Sequence, residues 1–326
     1  MAKTRSMTRN HNHDDDDASI IKRIDTSVAT CGVCKSWRSL ALPHKIRFMA
    51  SKPPMKLWIS QGSNNVDKCC LVDFGGRSII ILPESGGRTC VALTCGYLVF
   101  LGTKTRDFML LNPITRHGIC FPKVPNNYYY MLYPALGFRV ILVFSASIFT
   151  WVLVVLCRCN TSIWFSIAGK GEWGFVSSNS RIIDLHEFKG KIYAIDTEFR
   201  LYEVGIDFEP KLTLLKTKNT LGRNLTSLEF VSSGESLYAM EPIDWDDYKV
   251  HKLDFGEMKW MSQEKNTTKD HVFFVSQLTY SAAIRRGLWC ESDSWLHHKY
   301  WRSTGNITFL NSEIWYFPHD CLKVNF

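Results

Sequence analysis

The stretch Phe188 to Val204, FKGKIYAIDTEFRLYEV, constrains what this chain can fold into more than any other, because parts of it recur. It reads as two short strands, Ile192-Tyr193-Ala194-Ile195 and Leu201-Tyr202-Glu203-Val204, around a polar turn begun by Asp196-Thr197-Glu198. Asp suits such a turn because it tolerates turn backbone. The first strand is apolar on both faces, the pattern of a strand covered on both sides. Leu237-Tyr238-Ala239-Met240-Glu241 repeats Ile192 to Asp196 at an offset of 45 (192 to 237). Gly96-Tyr97-Leu98-Val99 echoes Gly190-Lys191-Ile192-Tyr193 at an offset of 94 (96 to 190), close to two such periods. A period near 45 built from short strands is the signature of a β-propeller, in which each repeat is one blade.

The rest of the chain fits that frame. Leu57-Trp58-Ile59, Cys70-Leu71-Val72 and Ile79-Ile80-Ile81-Leu82 are short apolar runs punctuated by Gly75-Gly76 and Gly86-Gly87. Ile163-Trp164-Phe165, the turn Gly169-Lys170-Gly171 and Trp173 form one strand, glycine turn and closing Trp; Val250 to Leu253, Gly256 and Trp260 form another. Val272 to Val275 and Ile307 to Leu310 supply later strands, and residues 123–135 read as a long loop between blades. About six blade-like segments result. The expected fold class is mainly β: a β-propeller-like domain of about six blades over residues 57–326. A tail (1–18), a short N-terminal α-helical segment (19–42) and a linker (43–56) precede it.

Val140 to Cys157 contains no charged residue over 18 positions, the length of a minimal transmembrane helix. Ser145, Ser147 and Thr150 near its middle, and its β-branched content, favour two strands around a Ser-Ala-Ser turn. No membrane partner is expected. The net charge of +8 is spread over 39 basic residues without a stripe, so no nucleic-acid partner is expected either. The first 18 residues are polar and charged, unlike a secretory signal, and the 11 cysteines are odd in number and irregular in spacing. Both features point to reduced thiols and a cytoplasmic or nuclear location.

Ile20, Ile21, Ile24 and Val28 make an apolar helical stripe, and Val33, Trp37 and Leu40 lie on one helical face that Pro43 ends. Val33-Cys34-Lys35-Ser36-Trp37-Arg38-Ser39-Leu40-Ala41 resembles the C-terminal end of a plant F-box. The downstream chain resembles the β-propeller domain of the large plant F-box family of the Kib type. The matching segments are Leu82-Pro83-Glu84, Cys95 to Val99, Leu110 to Arg116, Phe188 to Val204 and Ile314 to Phe317. The resemblance implies a substrate-receptor subunit of an SCF-type ubiquitin ligase. An F-box face of Ile20, Ile21, Ile24, Val28, Val33, Cys34, Trp37 and Leu40 would dock a Skp-type adaptor and thereby a cullin, while the propeller presents an unknown target protein. Three departures stand out. Asp14 to Asp17 occupy the place of the opening Leu-Pro-x-x-Leu-Leu-type segment, which predicts weak adaptor docking. Phe199 stands where the family's blade turn usually has Gly. The chain stops at Phe326, soon after the Ile314 to Phe317 strand, which predicts a shortened ring closure.

No catalytic, cofactor-binding or metal-binding residues are expected. Cys31 and Cys34 have the spacing of half a zinc site, but neither His44 nor Cys69-Cys70 completes it. Cys157 and Cys159 read as ordinary thiols, His297-His298 as an aromatic blade edge, and Asp244 to Asp247 as a solvated acidic loop. No nucleophile elbow, phosphate loop or His-Glu-x-x-His motif occurs. Two alternatives to the ligase subunit are a pseudo-adaptor, binding a partner without recruiting the ligase, and a propeller enzyme, which would need carboxylates or a metal site converging on the ring axis.

Overall fold

The structure is a computed structural model. It describes residues 54–61, 67–72, 78–81, 88–102, 104–113, 117–125, 138–157, 161–206, 209–221, 228–244, 247–263, 271–276, 281–285, 296–299 and 312–317. The expected helices over residues 19–42 and the strand at Ile307 to Leu310 lie outside these. Lys52 to Phe326 makes up one compact unit.

All regular structure among the described residues is strand. β1 (Met55–Gln61), β2 (Asp67–Val72) and β3 (Ser78–Ile81) begin the first sheet. β4 (Arg88–Thr94), β5 (Tyr97–Gly102), β6 (Phe108–Leu111) and β7 (Gly118–Phe121) form the second, and β8 (Phe138–Ser145), β9 (Thr150–Cys157), β10 (Ser162–Ile167) and β11 (Trp173–Ser177) the third. β12 (Ile182–Phe188), β13 (Lys191–Asp196), β14 (Leu201–Gly205) and β15 (Lys211–Leu215) form the fourth. β16 (Glu229–Ser232), β17 (Leu237–Asp244), β18 (Asp247–Asp254) and β19 (Lys259–Gln263) form the fifth. β20 (His271–Ser276), β21 (Ala282–Arg285) and β22 (Leu296–Lys299) join that fifth sheet through one parallel pair, Ser232 with Ala282. β23 (Ser312–Tyr316) returns to pair with β1. Among the described residues the result is six blades of a β-propeller, four of them regular antiparallel meanders.

The strands that open blades two to six start at Arg88, Phe138, Ile182, Glu229 and His271, spaced by 50, 44, 47 and 42 residues. The period near 45 is therefore the blade repeat. Tyr193 on β13 and Tyr238 on β17 hold the same position in consecutive blades, and each is 6% exposed. Val140 to Cys157 is the β8–β9 hairpin, in register from Phe138 with Cys157 to Ser145 with Thr150. Among the described residues no helix is long and apolar enough to cross a membrane.

Alternate residues of each inner strand face opposite neighbours, so a blade needs two apolar faces. On β8 and β9, Val140, Leu142, Leu153 and Val155 join blade two's core, while Ile141, Val143, Val152 and Val154 join blade four's. On β13, Ile192 and Ala194 face blade three; Tyr193 and Ile195 face blade five. Tyr238 and Met240 meet Phe273 and Val275 between blades five and six. This sandwiching is why the sequence shows continuous apolar runs in place of strict alternation.

β23 closes the ring. It is the edge strand of the order β23-β1-β2-β3, pairing Met55 with Tyr316 and Leu57 with Ile314, so the two ends of the unit share one blade. Trp315 and Phe317 pack on Phe274 of blade six, with ring centroids 4.9 and 5.8 Å apart, while Tyr316 enters the core of blade two. The expectation of a shortened closure came from the few residues after Phe317; six residues of β23 and its flank suffice, because all three of its aromatic rings are buried.

Candidate interaction face

The first-to-second-strand turns of the blades collect at one end of the inner strands. Blades two and four use two-residue turns, Cys95-Gly96 with φ of 47° and 74° and Lys189-Gly190 with φ of 52° and 77°. Both residues have positive φ, as in the hairpin turns that match strand twist. Blade five uses Ser233 to Ser236, where Ser233 and Ser236 bond each other's backbones. Lys189 Nζ reaches Glu235 at 3.3 Å, tying the turns of blades four and five together. Phe255, from the β18–β19 turn, stacks on Phe188 at 5.7 Å and leans over Tyr193 at 5.5 Å, so it belongs to the same end.

Blade three departs from this pattern. Its β8–β9 hairpin keeps eight strand pairs, against six for β4–β5, six for β12–β13 and four for β16–β17. The turn is Ala146 to Phe149. Phe149 is 82% exposed and has φ of 49°. Phe144, 44% exposed, leans on its cross-strand partner Trp151 with centroids 5.3 Å apart. Ser145 and Ser147 hydroxyls bond each other at 2.9 Å. Residues with a side chain and positive φ carry strain, about 1–2 kcal/mol outside Gly and Asn. Phe199, φ 60°, offsets it by burying its ring to 8% exposure between blades four and five. Met258, φ 48°, packs on the same cluster, and Cys95 points its Sγ at the Leu142 carbonyl, 3.2 Å away. Phe149 turns its ring to solvent.

The opposite end of the inner strands holds a buried polar belt. Arg139 of β8 donates two hydrogen bonds to Asp184 of β12, Nε to Oδ1 at 2.6 Å and Nη2 to Oδ2 at 2.8 Å. Asp184 also accepts the backbone N–H of Phe230 on β16 at 2.7 Å, and Glu229 accepts the Ser281 hydroxyl at 3.1 Å. Burial alone would lower the Arg139 pKa, but Asp184 and Glu229 outweigh it and hold the guanidinium above its ordinary value. Among the described residues neighbouring blades share one backbone pair, Ser232 with Ala282, so these side chains, with His186 to Ser232 at 2.8 Å, stitch blades three to six. Arg139, Asp184 and Glu229 sit 45 residues apart (139, 184, 229), a regularity the sequence displays and that marks charged residues opening apolar strands.

The β13–β14 turn is built on buried Asp196, as its sequence position suggested. Oδ1 accepts the Glu198 and Arg200 N–H groups at 2.9 Å each; Oδ2 accepts Arg200 Nε at 2.8 Å and the Tyr202 hydroxyl at 3.0 Å. That bond to Asp196 raises the Arg200 pKa; burial, then Asp196, raises that of Tyr202. These contacts fix a turn and leave no open acid–base pair.

Among the described residues no group of three or more His, Cys, Asp or Glu converges as a metal site. Cys157 is buried in the core of blades two and three. His297 and His298 lie on β22. Asp244 and Asp247 pair across the β17–β18 hairpin, and Ile243 beside them is exposed. The eight F-box-face residues, Ile20 to Leu40, and Cys31, His44 and Cys159 lie outside the described residues. The sequence did not single out Phe149; the available signal was a large aromatic where a hairpin turn ordinarily takes Gly, Asn or Asp.

The KIB1-4 beta-propeller family model matches residues 72–294. The chain belongs to the KIB1-4 beta-propeller family. No curated protein matches the sequence. Solved structures similar to it include apo AztD from Citrobacter koseri, 11% identical, covering 68% of this chain and 55% of that one at a TM-score of 0.38. The WD40 domain of SCAP from fission yeast is 11% identical, covering 65% and 52% at 0.37, and YCF48 from Cyanidioschyzon merolae is 9% identical, covering 60% and 64% at 0.37. The chain thus spans a little over half the length of the first of these. Among the described residues of the KIB1-4 propeller, the end carrying Phe149, Phe144, Lys189 and Phe255 presents large exposed aromatics on a rigid frame, the furnishing of a protein-binding face.

Proposed function

We propose that this chain is the substrate-receptor subunit of an SCF-type ubiquitin ligase. Ile20, Ile21, Ile24, Val28, Val33, Cys34, Trp37 and Leu40 dock a Skp-type adaptor, the adaptor brings a cullin, and the propeller holds a target protein. The transfer chemistry belongs to the other subunits, and the place of action is the cytoplasm or nucleus. The observation that carries this reading is the F-box-like segment Val33 to Ala41 in one chain with a KIB1-4 propeller.

Docking is weak on this account. Two leucine anchors of the usual opening segment are missing, each worth about 1.5–3 kcal/mol of transfer free energy. The sum of about 3–6 kcal/mol corresponds to a roughly 10²- to 10⁴-fold loss of affinity. Asp14 to Asp17 add a desolvation cost against an apolar groove. The same acidic run favours a second reading, a pseudo-adaptor that holds its partner without the ligase.

Affinity purification of the full chain from plant cells tests the proposal. Co-purifying Skp-type and cullin subunits support it, and Trp37→Ala then abolishes their retrieval. A target retrieved without them replaces the ligase subunit by the pseudo-adaptor.

A further inference from the structure

We infer that the β8–β9 hairpin of blade three is a prong that inserts Phe149 into a concave, uncharged apolar pocket on a partner protein. The inference rests on the propeller being a protein-binding module and is independent of adaptor docking.

Four observations converge on the hairpin tip. Phe149 exposes 82% of its surface, and Phe144 beside it 44%. The hairpin carries two more strand pairs than the corresponding hairpins of blades two and four, so its tip stands beyond theirs. Phe149 has φ of 49°, and its strain is met by no burial within the chain, unlike that of Phe199 and Met258. Trp151, 8% exposed, lies under Phe144 and anchors it in the core of blades two and three, so the prong stands on a rigid base.

The same residues define the occupant. Val140 to Cys157 carries no charge, so the receiving surface gains nothing from charge of either sign and loses by desolvating it. A convex aromatic tip calls for a concave neutral pocket, the arrangement in which an aromatic anchor contributes most. From Val140 to Cys157 the hairpin carries no lysine or arginine of its own to pair with a membrane surface, and the β10–β11 turn that bonds to Trp151 adds exposed Lys170 together with Glu172, a neutral pair.

The test replaces Phe149 by a photo-crosslinking phenylalanine analogue in the full chain expressed in plant cells, with the same analogue at exposed Phe175 of β11 as control. The protein joined at 149 and not at 175 is identified, purified and titrated against wild-type chain and Phe149→Asn. Asn tolerates positive φ, so the backbone is kept and the ring removed. The expected result is one protein joined at 149, a dissociation constant raised at least tenfold by Phe149→Asn, and unchanged thermal melting and adaptor retrieval. A second copy of this chain joined at 149, binding to neutral phosphatidylcholine vesicles that Phe149→Asn abolishes, no product beyond the control, or equal affinity of Phe149→Asn would each overturn the inference. Failure of the wild-type chain to retrieve the adaptor, while it still binds the protein joined at 149, would count against the ligase reading alone.

Discussion

Phe149 and Phe199 share a left-handed backbone and differ in where their rings go. Gly at Phe199 removes the backbone strain, about 1–2 kcal/mol, but also a buried ring whose deletion costs about 3–5 kcal/mol, a net loss of about 1–4 kcal/mol. Gly at Phe149 removes the same strain and no buried surface, so stability stays level or rises by up to about 1 kcal/mol. Urea titrations of the two variants check this. Equal destabilisation would mean that the Phe149 ring is covered. Tyr193 and Tyr238 make a second pair: Ala at either costs about 3 kcal/mol or more, because each ring lies between two blades. Their equivalence was legible in the sequence, since a repeat in residue type reports a repeat in environment. The exposure of Phe149 was not, because an aromatic in a turn looks the same whether it folds inward, as Phe199 does, or outward.

At the scale of elements, the inner strands are joined by side chains where a ladder is absent. Removing one partner of the buried Arg139–Asp184 pair leaves a charge without its counter-ion, so Asp184→Ala costs about 3–5 kcal/mol. The surface pair Lys191–Glu203, 2.9 Å apart, contributes less than about 1 kcal/mol, and Lys191→Ala is close to silent. Chemical denaturation of both variants checks the contrast; a silent Asp184→Ala would remove the belt from the account of blade cohesion. The β8–β9 and β13–β14 hairpins were readable from their apolar runs and turn residues. Blade six was less so: β20 pairs antiparallel with β21 and in parallel with β22, and parallel pairing leaves no tight turn in the sequence to mark it. The polar belt was missed because single charged residues at strand starts resemble solvated ends, until the spacing 139, 184, 229 is set against the blade period.

For the whole molecule, closure decides whether six blades behave as one body. β23 stakes three buried aromatic rings, Trp315, Tyr316 and Phe317, on joining blade one to blades two and six. Deleting residues 312–326 exposes Phe274 and the β1 edge, and the melting temperature falls by at least about 10 °C. An end-to-end stack without closure would instead fray from both termini, as repeat arrays do. Native-state hydrogen exchange of the full chain separates the two most directly. The closed propeller predicts that peptides covering β1 and β23 exchange within about tenfold of those covering β12 and β13, in one cooperative unit. Rapid exchange at β1 and β23 while β12 and β13 stay protected would contradict it.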